Sequence, residues 1–201
     1  LAACVQDQCL HAYYNFSSLQ QIAASLASSG ALVQAAESWQ LPPSLAVDLC
    51  KLALFDVCFL LDDSASMHSE GTRRRDALAS ILRKAADAAG RFDNDGMEAR
   101  WMNSDAPPQF GQIRTAQDAD RLTGMCRDEG RRTPLGEALE NKILKPLVLD
   151  KILARTNTKP VLVIIITDGR PTGSGEANDK IKRVIKETRK KLERLGEQGY
   201  R

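Results

Sequence analysis

Two short apolar runs, each followed at once by oxygen-bearing side chains, constrain the fold of this chain more than any other feature. Residues 55–61 lead into residues 62–66 (Asp-Asp-Ser-Ala-Ser), and residues 161–166 lead into residues 167–169 (Thr-Asp-Gly). Apolar runs of this length, rich in β-branched side chains, are typical of strands buried in a parallel sheet. The sequence therefore predicts an α/β fold in which both polar segments follow core strands.

The polar residues after these strands are expected to meet at one end of the sheet, because open α/β sheets bind ligands beyond the carboxyl ends of their strands. Asp62, Ser64 and Ser66 are spaced by two, so in an extended loop their side chains point the same way. Asp168 follows the second strand, and a third segment offers Thr133. Two carboxylates with hydroxyls, and no Cys or His among them, suit a hard cation such as Mg²⁺, Mn²⁺ or Ca²⁺.

Taken in order, the three segments resemble the metal-ion-dependent adhesion site (MIDAS) of von Willebrand factor type A (vWA) domains. The family's D-x-S-x-S motif is matched by Asp62, Ser64 and Ser66, its distant Thr by Thr133, and its second Asp by Asp168. Turn and helix-cap roles explain single members of this set, but not three segments ending at the same sheet edge. The resemblance implies a doubly wound, mostly parallel, Rossmann-like sheet and a divalent ion, with both aspartates often bound through water and the threonine directly or through water.

The same resemblance implies a binding function. An ion held by only two carboxylates stays electrophilic and keeps a position open for a carboxylate of a protein partner, that is, an Asp or Glu side chain. Residues expected at the rim of such a partner site are Asp63, His68, Arg132 and Arg170. One departure from the family is Ala65, where Gly is frequent, and it predicts a slightly altered loop.

Two other functions stay open at this point. The chain could be a subunit of a larger assembly in which the metal is chiefly structural. It could also be a Mg²⁺-dependent phosphoryl hydrolase, although such enzymes typically carry D-x-D and position 64 is Ser here. His68 lies two residues after Ser66 and is more readily explained as a loop residue than as a catalytic base, and no Walker or G-x-S-x-G motif is present. We therefore expect a binding protein and no catalytic residues.

The chain divides by pattern into a helical N-terminal segment, residues 1–53, and a vWA domain, residues 54–201. Residues 45–56, running directly into the metal loop, look like a group of intracellular fungal vWA proteins in which a helical lead-in precedes the site. Convincing strands are residues 55–61, 97–103 and 161–167, whereas a complete vWA sheet has about six. The resemblance thus predicts that the last strands are missing, and that another copy or a further C-terminal segment covers the apolar edge of the third strand.

Several helices are expected around these strands. The predicted helices are residues 18–38 with a break at Gly30, 45–52 with Ser44 as the cap, 73–91, 115–126, 134–146, a further segment to about 154, and 179–195. Pro107 and Pro108 predict a loop beside the site. In the last helix eight bases oppose two acids between Lys180 and Arg194, which fits a solvated face or an acidic partner.

Composition narrows the surroundings of the protein. A net charge of +2 gives no reason to expect nucleic acid as a partner. Five cysteines without a C-x-x-C pair predict free thiols and a reducing, cytoplasmic location. No apolar run approaches the roughly 20 residues that a membrane span requires.

Overall fold

The computed structural model describes residues 1–68, 71–92, 95–105, 112–126, 130, 132–173, 175–176 and 179–198. The strands are β1 (Asp56–Leu61), β2 (Glu98–Trp101) and β3 (Val161–Ile166). The helices are α1 (Ala2–Asp7), α2 (Phe16–Ser29), α3 (Ala31–Trp39), α4 (Pro43–Leu49), α5 (Arg73–Phe92), α6 (Ala116–Gly124), α7 (Leu135–Ala138), α8 (Asp150–Leu153) and α9 (Lys180–Glu197). Short 3₁₀ turns occupy Cys50–Leu54 and Ala65–His68, and a π-helical stretch, Leu139–Leu149, joins α7 to α8.

The three strands form one parallel sheet in the order β2-β1-β3. The helix after β1, α5, packs on one face of the sheet, whereas the helix after β3, α9, packs on the other, so the chain leaves these neighbouring strands in opposite directions. Such a switch point opens a crevice for ligands in doubly wound sheets. The α/β fold with a parallel, Rossmann-like sheet is therefore confirmed.

Helices cover both faces of the sheet, as the alternation of side chains along β1 requires. Phe59 and Leu61 point to the face covered by α5 and α6, where Leu82 is fully buried. Cys58 and Leu60 point to the other face and pack on the α7 side of the domain. Because both faces of β1 are buried, its residues after Asp56 form a continuous apolar run instead of an alternating one.

The N-terminal helices pack against the main domain. Leu26 of α2 and Ala35 of α3 share a cluster with Ala88 and Phe92 of α5. Tyr14 donates its phenolic O–H to the carbonyl of Leu54, the last residue of the 3₁₀ turn before β1, at 2.8 Å. The predicted helical segment is thus present and covers one end of α5.

Most predicted helix boundaries lie within a few residues of the observed ones. Gly30 does separate α2 from α3, with a φ of 67° that favours glycine. The cap predicted at Ser44 is wrong: α4 begins at Pro43 with Pro42 as its N-cap, because proline at the first helical position sacrifices no intrahelical hydrogen bond.

The helix after Thr133 differs from the prediction. Pro146 was expected to end it, yet the chain stays helical from Leu135 to Leu153. The residues around Pro146 adopt wider π-type turns, and these relieve the clash of a proline ring with the carbonyl four residues earlier.

The second strand is shorter than the predicted 97–103. It spans Glu98–Trp101, because the residues after it turn towards the loop that follows β1, where Asn103 and Ser104 donate hydrogen bonds to Asp63.

β3 lies at the edge of the sheet among the described residues, and all six of its residues are only partly buried. The predicted loop at Pro107 and Pro108 lies outside the described residues. In the described part of the chain, no helix combines the length and the apolar character needed to cross a membrane.

Candidate metal centre

The loops after β1 and β3 meet at the carboxyl end of the sheet. The hydroxyl oxygens of Ser64 and Ser66 lie 2.9 Å apart. Ser66 also donates its hydroxyl proton to Oδ1 of Asp168 at 2.9 Å, across 102 positions of sequence. The structure thus connects three of the residues that the sequence singled out, from two different loops.

Asp62 is 1% exposed and is held by two hydrogen bonds. Its Oδ1 accepts the backbone N–H of Ser64 at 2.9 Å, and its Oδ2 accepts the hydroxyl of Thr167 at 2.6 Å. The role of Thr167 was missed by sequence reasoning, although its place directly before Asp168 was a usable signal. These bonds fix the orientation of the carboxylate at the end of β1.

Thr133 reaches the same end of the sheet through backbone contacts. The N–H of Ala65 donates to the carbonyl of Gly130 at 2.7 Å, which places the Gly130 backbone beside the metal loop. The N–H of Thr133 donates to the hydroxyl of Thr172 at 2.8 Å, and the N–H of Thr172 returns a bond to the carbonyl of Thr133 at 3.0 Å.

The side chain of Thr133 is the exception in this network. The residue is 4% exposed, yet within the described residues its hydroxyl makes no hydrogen bond, and none links it to Ser64, Ser66 or Asp168. Buried hydroxyls in proteins almost always have a partner. A buried hydroxyl without one is therefore a group that an additional ligand would complete.

Arg74, in the first turn of α5, contributes a cation that the sequence analysis did not assign. One of its guanidinium nitrogens forms an ion pair with Oδ2 of Asp168 and donates to the backbone carbonyl of Ser66 at 3.0 Å. The signal available in the sequence was three consecutive arginines, 73–75, shortly after the D-x-S-x-S motif.

The four residues expected at the rim of the partner site differ in their exposure to solvent. Asp63 is a correction: it is fully buried, and its carboxylate accepts three hydrogen bonds, at 2.8–2.9 Å, from the backbone and side-chain N–H of Asn103 and the backbone N–H of Ser104. It ties the loop after β1 to the end of β2 and cannot contact a partner. Arg132 and Arg170 are exposed, and the side chain of His68 lies outside the described part of the chain.

A cavity of about 330 Å³ opens beside Thr133. Its lining includes Arg132, Pro134, Asn103 and Lys142. The Lys142 ammonium donates to the carbonyls of Trp101, Asn103 and Ser104 at 2.9–3.4 Å, which satisfies carbonyls where the chain leaves β2. The cavity therefore has walls fixed by hydrogen bonds, and the two residues that flank Thr133 in the sequence form part of them.

The chemistry of the donors fits a hard divalent cation. The set Asp62, Ser64, Ser66, Thr133 and Asp168, called the candidate metal centre below, offers only oxygen atoms. No three His, Cys, Asp or Glu side chains cluster as metal ligands among the described residues, so hydroxyls would have to complete any shell here. The buried Thr133 hydroxyl has no hydrogen-bond partner among the described residues and could serve as a ligand. The ion pair of Arg74 with Asp168 shows that this carboxylate attracts a cation.

A parallel, doubly wound sheet with these loops at its switch point defines a vWA-type domain. The profile of the vWA-TerF-like family, described as the vWA domain found in the TerF C terminus, matches residues 54–191, and the chain belongs to this family. Comparison with curated proteins and with solved structures gives no match. Domains of the vWA type generally mediate metal-dependent protein interaction.

Proposed function

We propose that this protein is a metal-dependent protein-binding module. In this proposal the candidate metal centre holds a divalent cation, Mg²⁺ or alternatively Mn²⁺ or Ca²⁺, that coordinates an Asp or Glu side chain of a partner protein. The observation that carries the proposal is the hydrogen-bonded chain of Ser64, Ser66 and Asp168, which brings oxygen donors from two remote loops together.

The neutral and the charged residues of the candidate metal centre would have different roles in holding the ion. Ser64 and Ser66 are neutral donors, so they would hold the ion without cancelling its charge. Ser66 donates its hydroxyl proton to Asp168, so its oxygen would approach a cation as an acceptor. When bound, the ion supplies a Lewis-acidic position, and Mg²⁺ in particular keeps exchangeable waters that a carboxylate can replace.

The surroundings of the centre support a protein ligand. The 330 Å³ cavity beside Thr133 can receive a neighbouring side chain of the partner, and the exposed Arg132 and Arg170 offer positive charge to an acidic segment. We do not expect nucleic acid as a partner, because the net charge is only +2.

We also place the protein in the cytoplasm. All five cysteines are free thiols, as expected in a reducing compartment. The finer likeness to intracellular fungal vWA proteins stays a prediction.

Titration of the protein with Mg²⁺ and Mn²⁺ by calorimetry tests the proposal directly. Ser66→Ala removes a donor and is expected to weaken binding at least tenfold, whereas Ser80→Ala, on the exposed surface of α5, is a matched control that leaves it unchanged. Absence of binding by the wild-type protein at millimolar metal would contradict the proposal.

Capture of an acidic partner tests the second half of the proposal. Binding should be lost in EDTA and in Asp62→Ala, and restored to the wild-type protein by adding Mg²⁺ back. Capture that is equally strong with and without EDTA would remove the metal from recognition.

One observation favours a second function, that of a subunit in a larger assembly. β3 is an edge strand of the described sheet, and its apolar side chains are only partly buried. Sedimentation with and without EDTA separates the two functions: assembly that survives metal removal, together with a lower Tm, would favour a structural metal. Mg²⁺-dependent hydrolysis of p-nitrophenyl phosphate would instead favour the phosphoryl hydrolase.

A further inference from the structure

A cation of the protein itself already occupies one of the expected metal ligands. Arg74 pairs with Oδ2 of Asp168 while Ser66 donates to Oδ1, so both carboxylate oxygens are engaged. The Asp168 side chain is 9% exposed and that of Arg74 is 30% exposed, so the pair is partly shielded from water. Its attraction is therefore screened less than that of a surface ion pair.

The same guanidinium nitrogen also contacts the metal loop. It donates to the backbone carbonyl of Ser66 at 3.0 Å, so Arg74 ties the turn after β1 to the loop after β3. A group that bridges these two loops does in part what a bound ion would do, because four of the five residues of the candidate metal centre lie in the same two loops.

Arg74 and a divalent cation would compete for the same carboxylate, because both are positively charged. The candidate metal centre contains two carboxylates, Asp62 and Asp168, and Arg74 neutralises one of them. A divalent ion placed among the same oxygens would be repelled by the guanidinium as long as the ion pair persists.

We propose that Arg74 is a built-in competitor of the divalent cation: it holds Asp168 in the metal-free protein and must leave that carboxylate, or be repelled by the ion, when metal binds. This inference rests on the proposed metal-binding function and deepens it. Arg74 thereby weakens metal affinity and, in the same contact, keeps the two loops together without metal.

The test is a Mg²⁺ titration by calorimetry of four proteins. Arg74→Gln is expected to bind Mg²⁺ on the order of tenfold more tightly than wild type, since one positive charge beside a dication is removed. Arg74→Lys keeps the charge and is expected to lie between the two. Arg73→Gln makes the same change in net charge at an exposed neighbouring position, and its affinity is expected to stay within about twofold of wild type.

Thermal unfolding supplies a readout that does not depend on a partner. In EDTA, Arg74→Gln is expected to melt below wild type, because the shielded carboxylate of Asp168 loses its ion pair. Added Mg²⁺ should then raise its Tm by more than it raises that of wild type. If Arg74→Gln does not fold in EDTA, folding induced by Mg²⁺ supports the inference, and Arg74→Lys provides the affinity comparison.

The outcomes separate this inference from the function on which it rests. If wild type binds Mg²⁺, Ser66→Ala does not, and Arg74→Gln binds no more tightly than wild type, the competitor role is overturned and the metal site stands. An equal gain in Arg73→Gln would also overturn it, because the effect would then be one of net charge. If neither wild type nor Arg74→Gln binds Mg²⁺, both proposals fail.

Discussion

At the scale of single residues, Thr133 combines burial with an unmet polar group. Its backbone is paired with Thr172 in both directions, but its hydroxyl makes no hydrogen bond within the described residues. A buried polar group left unsatisfied costs about 1–3 kcal/mol. The unpaired Thr133 hydroxyl is therefore expected to lower the stability of the metal-free protein, and a bound cation would offset this cost. A substitution at Thr133 can separate the effect on stability from the effect on metal binding.

Thr133→Val replaces this hydroxyl by a methyl group of similar size. We expect the metal-free protein to keep or gain stability, by up to about 1 kcal/mol in urea unfolding, because no hydrogen bond is lost. Mg²⁺ affinity is expected to fall at least tenfold in calorimetry. Thr172→Val is the comparison: it removes the acceptor of the Thr133 N–H and is expected to lower stability. A Thr133→Val protein that binds Mg²⁺ as wild type does would exclude this side chain as a ligand.

Cys58 illustrates how burial controls chemistry at one atom. It lies in β1, and burial raises the pKa of its thiol from 9.0 to about 12. Because the pKa in the folded state exceeds that of the unfolded chain, the stability linked to this thiol is fully present below pH 9 and falls as the pH rises towards 12.

This burial predicts selective alkylation. At mildly alkaline pH, iodoacetamide should modify the exposed Cys9 first and leave Cys58 unmodified until the protein unfolds. Mass spectrometry of peptides from native and urea-treated protein measures this order. Equal modification of both thiols in the native protein would show that β1 is not packed as described.

At the scale of elements, the helix that starts at Leu135 is capped from a distance. It has no side-chain cap of its own, and Glu176 instead accepts the N–H groups of Gly136 and Glu137 at 3.1 and 2.9 Å. The Glu176 side chain is 1% exposed and also pairs with Lys180 at 3.2 Å. A carboxylate at a helix N-terminus is favoured by the helix dipole, so this contact fixes α7 against the start of α9.

Glu176→Ala is expected to destabilise the protein by about 2 kcal/mol or more, because two helix N–H groups lose their acceptor and the partly buried Lys180 loses its nearer carboxylate partner. Thr115→Ala is the matched comparison. It removes the local cap of α6, where Thr115 accepts the N–H of Asp118 at 3.2 Å, and is expected to cost about 1 kcal/mol. Urea unfolding of both variants checks the ranking, and a smaller cost for Glu176→Ala would contradict the account of α7.

At the scale of the whole molecule, the N-terminal helices act as a cover for the sheet domain. Leu54 is fully buried, and Ala88 and Phe92 of α5 pack against α2 and α3. Such a small group of helices would bury too little apolar surface to be stable alone. The stability of the N-terminal helices and that of the sheet domain are therefore expected to depend on the contacts between them.

A chain shortened to begin at Leu54 should accordingly lose stability and tend to aggregate, since it exposes Phe92 and its apolar neighbours. Thermal unfolding and light scattering against the full chain measure this. Phe16→Ser in the full chain changes an exposed side chain of the same helices and should have little effect. A shortened chain that melts at the temperature of the full one would make residues 1–53 an independent appendage.

The elements could be predicted wherever a local pattern was sufficient. The apolar runs of β1 and β3 and the amphipathic period of α5 are properties of consecutive residues, and these elements lie within about a residue of the prediction. The place of Asp62 and Asp168 followed from one further rule, that parallel strands end at the same edge of a sheet. Pro146 misled because the effect of a proline depends on whether the surrounding turns can widen.

Local patterns in the amino-acid sequence were enough to predict the class of the fold and the oxygen-bearing residues at the end of its sheet, because strand runs are local and parallel strands end at the same edge. Which charged groups face those residues depends on the folding of remote segments against one another. The tertiary structure buried Asp63 beneath Asn103, placed Arg74 on Asp168 across 94 positions, and left the hydroxyl of Thr133 without a partner among the described residues. The physical reason is that ion pairing and burial depend on distances between remote segments, and no local pattern encodes these distances.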